Sequence, residues 1–330
     1  MSEQIDVVTI GESMVLFQPM MEGPLTYCHL FSKSIAGAES NVAIALSRLG
    51  KKVRWISRVG NDPFGQTIIS TLAGECVDVS HVIKDEHAPT GIYFKEFKQY
   101  GEPNIYYYRK FSAASNFSKK DIKLEWLDHA RHLHVTGITS ALGEHTVEFM
   151  KEVMKLAKEK GLTVSFDPNL RYKLWDNEKK AKEVINSLIS LSDVFLPGIE
   201  EAKFLTGMED YEKNAQRFLE MGPKLVVIKL GQKGSVAFFG KKKVVAEAVT
   251  VENVVDPIGA GDAFAAGFLS VLLNENNPLD ETVLDKQIED ALKHANLLGA
   301  LATQFKGDWE SSPYAVEVDR LLFEKEPHTR

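Results

Sequence analysis

Apolar, β-branched runs alternate with amphipathic stretches along most of the chain, the rhythm of a mostly parallel sheet with helices on its faces and hence of the α/β class. Residues 7–10 read as a first strand, 41–49 as a helix stopped by Gly50, and 53–57 as a second strand. Asp62-Pro63 then opens a helix, since Asp is a good N-cap and Pro suits the first helical position. Phe64, Ile68 and Leu72 fall on one stripe of that helix before Gly74. Val147, Met150, Met154 and Ala157 mark another, ended by Gly161 and followed at once by a strand over 162–166. The rhythm continues through a helix carrying Ala181, Val184, Ile185 and Leu188, strands over 194–196 and 225–230, and helices from about 261 to 273 and about 285 to 303. No internal repeat or low-complexity linker interrupts it.

Two stretches, 12–35 and 90–111, lack helical period and are expected to form a small β-structure projecting from the main sheet, within one unit spanning 1–330. In the second, a period of two places Ile105, Tyr107, Arg109 and Phe111 on one face and Tyr106, Tyr108 and Lys110 on the other. Tyr107 and Arg109 can then reach the same ligand. The alternative is an exposed edge strand with a solvated arginine.

Composition narrows the classes. A chain of 330 residues, 44% hydrophobic and 26% charged, is that of an ordinary globular protein with ample core. Its 39 basic and 46 acidic residues leave a net charge of −7, which argues against a broad nucleic-acid surface while allowing a local basic pocket for a small anion. Cys28 and Cys76 are too few for a disulfide framework and point to a reducing cytosol. The opening Met1-Ser2-Glu3-Gln4-Ile5-Asp6 lacks the features of an export signal, and the run over 263–273 is too short to span a bilayer, so neither a leader nor a membrane partner is expected.

The chemistry concentrates in Val255-Asp256-Pro257-Ile258-Gly259-Ala260-Gly261-Asp262-Ala263-Phe264. Small residues at 259–261 before an apolar helix let backbone N–H groups approach an anion, and the helix dipole favours negative charge there. Phosphate is the natural ligand, and Asp262 can orient an acceptor hydroxyl and take its proton. The plainer reading is an Asp-capped helix after a glycine turn. No Walker motif is present, and a dinucleotide fingerprint starting at Gly259 fails because position 264 is Phe.

These residues resemble the ribokinase-like, or PfkB, carbohydrate kinases. Their C-terminal motif is similar to residues 256–267, and their N-terminal motif to Ala36-Gly37-Ala38-Glu39-Ser40-Asn41-Val42-Ala43. The resemblance implies a central sheet flanked by helices, a β-lid over the sugar, and phosphorylation by ATP with Mg²⁺. It further implies that Gly259, Ala260 and Gly261 line an anion hole and that Asp262 is the catalytic base. Within the family, Thr90 to Phe94, Tyr107 to Ser115 and Phe166 to Arg171 with Leu174-Trp175 look most like 2-keto-3-deoxygluconate kinases. Such a substrate carries a carboxylate, which Arg109 and Arg171 can neutralise by charge-assisted hydrogen bonds. Tyr93 and Tyr107 would add hydroxyls and flat surface, with Gly37 and Asn41 contacting the sugar. A fructokinase or other neutral-sugar kinase, since the 167–175 segment is shared with fructokinases, and a non-catalytic sugar or nucleotide sensor are the alternatives.

The resemblance also assigns Lys229, Gly231 and Gly234 to an ATP-side loop and Asn296 to the adenine border. Without it, the two glycines read equally as a hairpin turn and Asn296 as a polar helix position. Pro197-Gly198-Ile199-Glu200-Glu201 retains Glu201, expected to help place magnesium, but has Gly198 where the family usually has asparagine. Pro257 stands where threonine is more frequent, removing a hydroxyl and an N–H donor. His129, His132 and His134 lack a completing zinc-ligand set, and Lys241-Lys242-Lys243 reads as a solvated turn. Tyr106 and Tyr108 are expected to pack in the lid or at a subunit contact, and free lid edges favour a homo-oligomer.

Overall fold

The computed structural model describes residues 4–21, 23–96 and 103–323. Residue 22 and residues 97–102, parts of the two expected β segments, lie outside the described residues, as do Met1, Ser2 and Glu3. In chain order, β1 (Ile5–Ile10), β2 (Met14–Pro19) and β3 (Phe31–Ala36) lead to α1 (Ala38–Arg48). Then come β4 (Val53–Ile56), β5 (Arg58–Gly60), α2 (Pro63–Gly74), β6 (Ile83–Asp85), β7 (Ile92–Glu96) and β8 (Asn104–Tyr108). The middle holds β9 (Ala130–Thr136), α3 (Gly137–Ser140), α4 (Glu144–Glu159), β10 (Thr163–Asp167), α5 (Glu178–Ile189) and β11 (Val194–Phe195). Next are α6 (Ile199–Thr206), α7 (Tyr211–Met221), β12 (Leu225–Lys229), β13 (Ser235–Phe239) and β14 (Lys242–Ala246). The chain closes with α8 (Ala260–Leu272), α9 (Glu281–Ala302) and α10 (Ala315–Phe323).

The main sheet has eight strands in the order β14-β13-β12-β11-β10-β9-β1-β4, parallel from β12 to β4 and antiparallel at the β13 and β14 end. Alternation along each strand feeds two cores. Val8, Leu133, Val135, Phe166, Val226 and Ile228 pack with α4 to α7 on one side, where Met150, Val153, Met154 and Ala157 form the buried stripe of α4. Val7, Leu225 and Val227 pack with α1, α2, α8 and α9 on the other. That second face is polar at its centre. Thr9, His134 and Ser165 lie side by side across β1, β9 and β10. His132 contacts Thr163 and Ser165 at 2.6 and 2.7 Å, and His134 contacts Ser165 at 2.8 Å. Burial pushes the pKa values of His132 and His134 down to about 3 and about 4, so both rings are neutral at pH 7.

The Asp62-Pro63 helix start is realised in α2: the Asp62 carboxylate accepts the Gly65 N–H at 2.8 Å, with Pro63 at the first helical position. A four-stranded sheet in the order β3-β2-β7-β8 projects from the body, its two hairpins joined by the parallel β2–β7 pair. Its outer side is aromatic, with Phe17 stacked on Phe94 at 5.2 Å and Phe31 and Tyr108 edge-on to Phe94. The expected period of two ends early. β8 stops at Tyr108, and Phe111 turns outward with φ 62°, so it does not share a face with Tyr107 and Arg109. Lys242 and Lys243 lie in β14 rather than in a turn and pair with acidic residues of α9 and α7.

Candidate active site

The last strand positions and the projecting sheet enclose a cavity of about 640 Å³ at the C-terminal ends of β10 and β12, within the size range of small-molecule sites. Its floor is built by the glycine turn. Gly259 adopts φ 87°, ψ −14°, a left-handed conformation that glycine accepts without strain, and a Cβ there would lie 2.3 Å from the Asp308 carbonyl oxygen. The chain therefore needs glycine at this position to pass Asp308 and enter α8. The first N–H groups of α8 have no carbonyl of their own helix to meet, and they sit at its positive end.

Asp262, in the first turn of α8, lines the cavity while 8% exposed. Two amides fix its carboxylate: Asn41 Nδ2 donates to Oδ2 at 2.8 Å and Asn169 Nδ2 donates to Oδ1 at 3.1 Å. Burial raises its pKa to about 6, opposed by the Asn41 hydrogen bond and by Arg171. A carboxylate poised near neutrality is suited to proton transfer at physiological pH. Lys229, at the end of β12, donates to Asp167 Oδ2 at 2.6 Å, and its Nζ would stand 3.7 Å from a Cβ on Gly261. Burial opposes the charge of Lys229, but Asp167 and Glu201 more than offset it and raise its pKa. A fixed ammonium thus faces the glycine turn.

Gly37, Asn41, Tyr93, Tyr107, Arg109 and Arg171 also line the cavity. Tyr93 and Tyr107 are cross-strand partners with rings 5.5 Å apart. The two arginines differ. Arg109 is buried and ion-paired with Glu12, whose other oxygen accepts the Ser112 hydroxyl at 2.5 Å; Arg109 Nε has no partner among the described residues. Arg171 is exposed and makes no ion pair among the described residues. The pair expected to act alike is therefore one internally neutralised cation and one open one.

Glu201 also lines the cavity, and each of its carboxylate oxygens accepts one backbone N–H at 2.7 Å, from Leu170 and from Gly198. Burial raises its pKa, and Lys229 opposes that rise. A Cβ at Gly198 would meet this carboxylate at 3.3 Å, so glycine leaves Glu201 room to cap α6. Gly231, Gly234 and Asn296 are not part of the cavity wall. The two glycines, with φ 60° and 87°, make the turn from β12 to β13, and Asn296 donates to the Ala246 and Glu247 carbonyls at 3.2 and 2.9 Å. Ala260 opens α8 beside the wall residues Gly259 and Gly261.

Five participants escape sequence reasoning: Glu12, Lys95, Asp167, Asn169 and Asp308. Asn169 and Asp167 were within reach, since Asp167-Pro168-Asn169-Leu170-Arg171 follows a strand end, where an α/β sheet gathers its ligands. Glu12, Lys95 and Asp308 act through side-chain contacts with residues 97 to 215 positions away, which no local pattern displays.

Comparison with known proteins accords with this geometry. The pfkB family carbohydrate kinase model matches residues 4–314. A 2-dehydro-3-deoxygluconokinase of Bacillus subtilis (strain 168) is 40% identical over 97% of this chain and 96% of its own length. A second, from Thermoproteus tenax, is 34% identical over 96% of this chain and 94% of its own length. An uncharacterized sugar kinase from Pyrococcus horikoshii, solved in complex with ATP, superposes with a TM-score of 0.80 at 32% identity, covering 95% of this chain and 97% of the other. The chain belongs to the pfkB family of carbohydrate kinases.

Proposed function

We propose that this carbohydrate kinase transfers the γ-phosphoryl group of ATP to the terminal hydroxyl of 2-keto-3-deoxygluconate, giving 2-keto-3-deoxy-6-phosphogluconate and ADP. The observation that carries the reading is Asp262, held by Asn41 and Asn169 at the mouth of a left-handed glycine turn inside a cavity lined by two arginines. The two kinases of that name among its relatives support the acceptor, and the ATP complex of the Pyrococcus protein supports the donor.

In this reading Asp262 accepts the hydroxyl proton as the substrate oxygen bonds to the γ-phosphorus and the bond to the β–γ bridging oxygen breaks. The N–H groups of residues 259–261 and the Lys229 ammonium stabilise the transferring charge. Arg171 receives the substrate carboxylate. Arg109, already neutralised by Glu12, acts as an oriented donor beside Tyr107, above whose ring its guanidinium carbon lies at 5.6 Å. The small sheet covers the sugar and excludes water. The nucleotide lies toward the β12–β13 turn, with Gly231, Gly234 and Asn296 shaping that end.

Magnesium accompanies the nucleotide, and the residues present fit it in one way. Among the described residues no cluster of three metal-ligating side chains exists, which suits an ion that keeps its waters and binds chiefly through phosphate. Glu201, with a lone pair left on each oxygen, would hold a water of the hydrated ion, and the ion would supply neutralisation of phosphate charge. The unpaired Cys28 and Cys76 support a cytosolic setting, and among the described residues no helix is long and apolar enough to cross a membrane. The aromatic outer side of the small sheet supports a homo-oligomer.

The test is ADP release with 2-keto-3-deoxygluconate, fructose and ribose in parallel. A strong preference for the keto acid is expected, and Arg171→Ala should reduce kcat/KM for the acid about 10²-fold while changing it little for a neutral sugar. Preference for fructose or ribose, or equal losses on both kinds of acceptor, would overturn the assignment.

A further inference from the structure

Lys95 lies on β7, two residues from Tyr93 and on the same side of the strand, yet it is fully buried and is not part of the cavity wall. Its ammonium contacts the fully buried Asp256 carboxylate and stands 3.3 Å from Oδ1 of Asp308. An ammonium taken out of water in this way persists only where carboxylates and hydrogen bonds replace its hydration.

Both carboxylates are anchored in the floor of the active site. Asp256 Oδ1 accepts the N–H of Ile258, one residue before Gly259, at 3.1 Å. The N–H groups of Val255 and Asp256 donate to the Thr303 carbonyl at 2.8 and 3.1 Å. Asp308 Oδ2 accepts the Tyr93 hydroxyl at 3.0 Å, and the Asp308 backbone oxygen is the atom that forces glycine at position 259. One ammonium therefore joins three parts of the fold: the projecting sheet, the turn before α8, and the loop after α9. Without it, two buried carboxylates would face each other beside the place where a phosphoryl anion must bind.

We propose that Lys95 is a positioning residue for phosphoryl transfer: carried on the projecting sheet, its ammonium clamps Asp256 and Asp308 and so holds the 256–262 turn in its anion-binding shape. The proposal rests on the kinase reading above. It makes the turn dependent on how the small sheet is seated, so that covering the sugar and shaping the anion site are one event. The chain thereby supplies from its own sequence a cation of the charge and hydrogen-bonding capacity of free ammonium.

The experiment compares the parent with Lys95→Met and Lys95→Ala in steady-state turnover, at fixed ionic strength with ammonium, potassium or tetramethylammonium as the added cation. Amide exchange over residues 255–262 is followed on the same proteins without substrates. Lys95→Met is expected to lower kcat roughly 10²-fold with the sugar KM near the parent's, as for a displaced but intact catalytic constellation. In Lys95→Ala, which vacates the space that a near-isosteric methionine still fills, ammonium or potassium should recover most of the corresponding loss, and tetramethylammonium none of it. The parent should respond to none of the three, and exchange over 255–262 should be faster in both variants. Parent-like kcat, a raised sugar KM at unchanged kcat, or a loss of kcat with unchanged exchange and no recovery by small cations would each overturn the proposal.

Should Lys95→Met not fold, Lys95→Arg keeps the charge and displaces it. Lowered kcat with faster exchange is expected there, and parent-like values of both would overturn the proposal. A parent that released no ADP with any sugar would instead refute the substrate assignment, while the exchange comparison would still decide the role of Lys95.

Discussion

At the scale of single residues, the proposed phosphoryl transfer turns on the ionisation of Asp262. Its folded pKa of about 6 lies above the usual 3.8, so the folded state binds more protons than the unfolded chain between those values. Stability conferred at this position is accordingly present at low pH, falls as pH rises through that window, and is fully lost above about 6, where the carboxylate is ionised. kcat/KM should therefore drop below an apparent pKa near 6. Asp262→Asn should cut turnover about 10³-fold or more while leaving the thermal midpoint at pH 7 no lower than the parent's. A flat profile from pH 5 to 8, or substantial turnover by the variant, would remove Asp262 from proton transfer. That Asp262, Asn41, Tyr93, Tyr107 and the two arginines could gather at one cavity was legible because each sits in a motif or beside an alternating strand. The Glu12 partner of Arg109 was not, because an ion pair joining positions 12 and 109 leaves no trace in either segment.

At the scale of elements, capped helices were the easiest to read. α2 begins at an Asp-Pro pair, and α4 combines a buried stripe with an ending at Gly161, which has φ 80°. α6, α7 and the β13–β14 hairpin went unread. α6 is only eight residues long, and β13 is a continuous buried run, Ser-Val-Ala-Phe-Phe, without the alternation that marks a strand. The period of two in β8 was real but short, because alternation describes a strand and not the chain that leaves it. The α8 entry carries the strictest backbone demand. Gly259→Ala should destabilise the protein by about 2 kcal/mol or more, from the left-handed conformation and the collision with Asp308 together, and it should depress kcat more than sugar affinity. Differential scanning and steady-state kinetics check this, and an unchanged thermal midpoint would mean that the turn relaxes freely.

At the scale of the whole molecule, the body closes on itself and the small sheet does not. Tyr108, 65% exposed, is edge-on to Phe94 of the Phe17, Phe31 and Phe94 cluster, an apolar face of a kind that isolated proteins seldom leave in water. A second copy of the chain is the covering expected here. Sedimentation equilibrium should give twice the chain mass for the parent, and Tyr108→Glu should shift the equilibrium toward one chain. A monomeric parent at working concentrations would leave that face to another use.

The order of strands in the main sheet sets a timetable for a chain still being made. β1 lies between β4 and β9, so one of its edges is satisfied early while the other waits for residues 130–136. At a synthesis rate of roughly 5–20 residues per second, that edge stays open for about 6 to 24 s, carrying Val7, Val8 and Ile10. Asp262 arrives later still, and Asn41, already seated on α1, must wait for it. The newborn protein thus spends over a third of its synthesis with a sticky strand edge and most of it without the Asp262 carboxylate, so the candidate site can assemble only after all eight strands of the main sheet have been made.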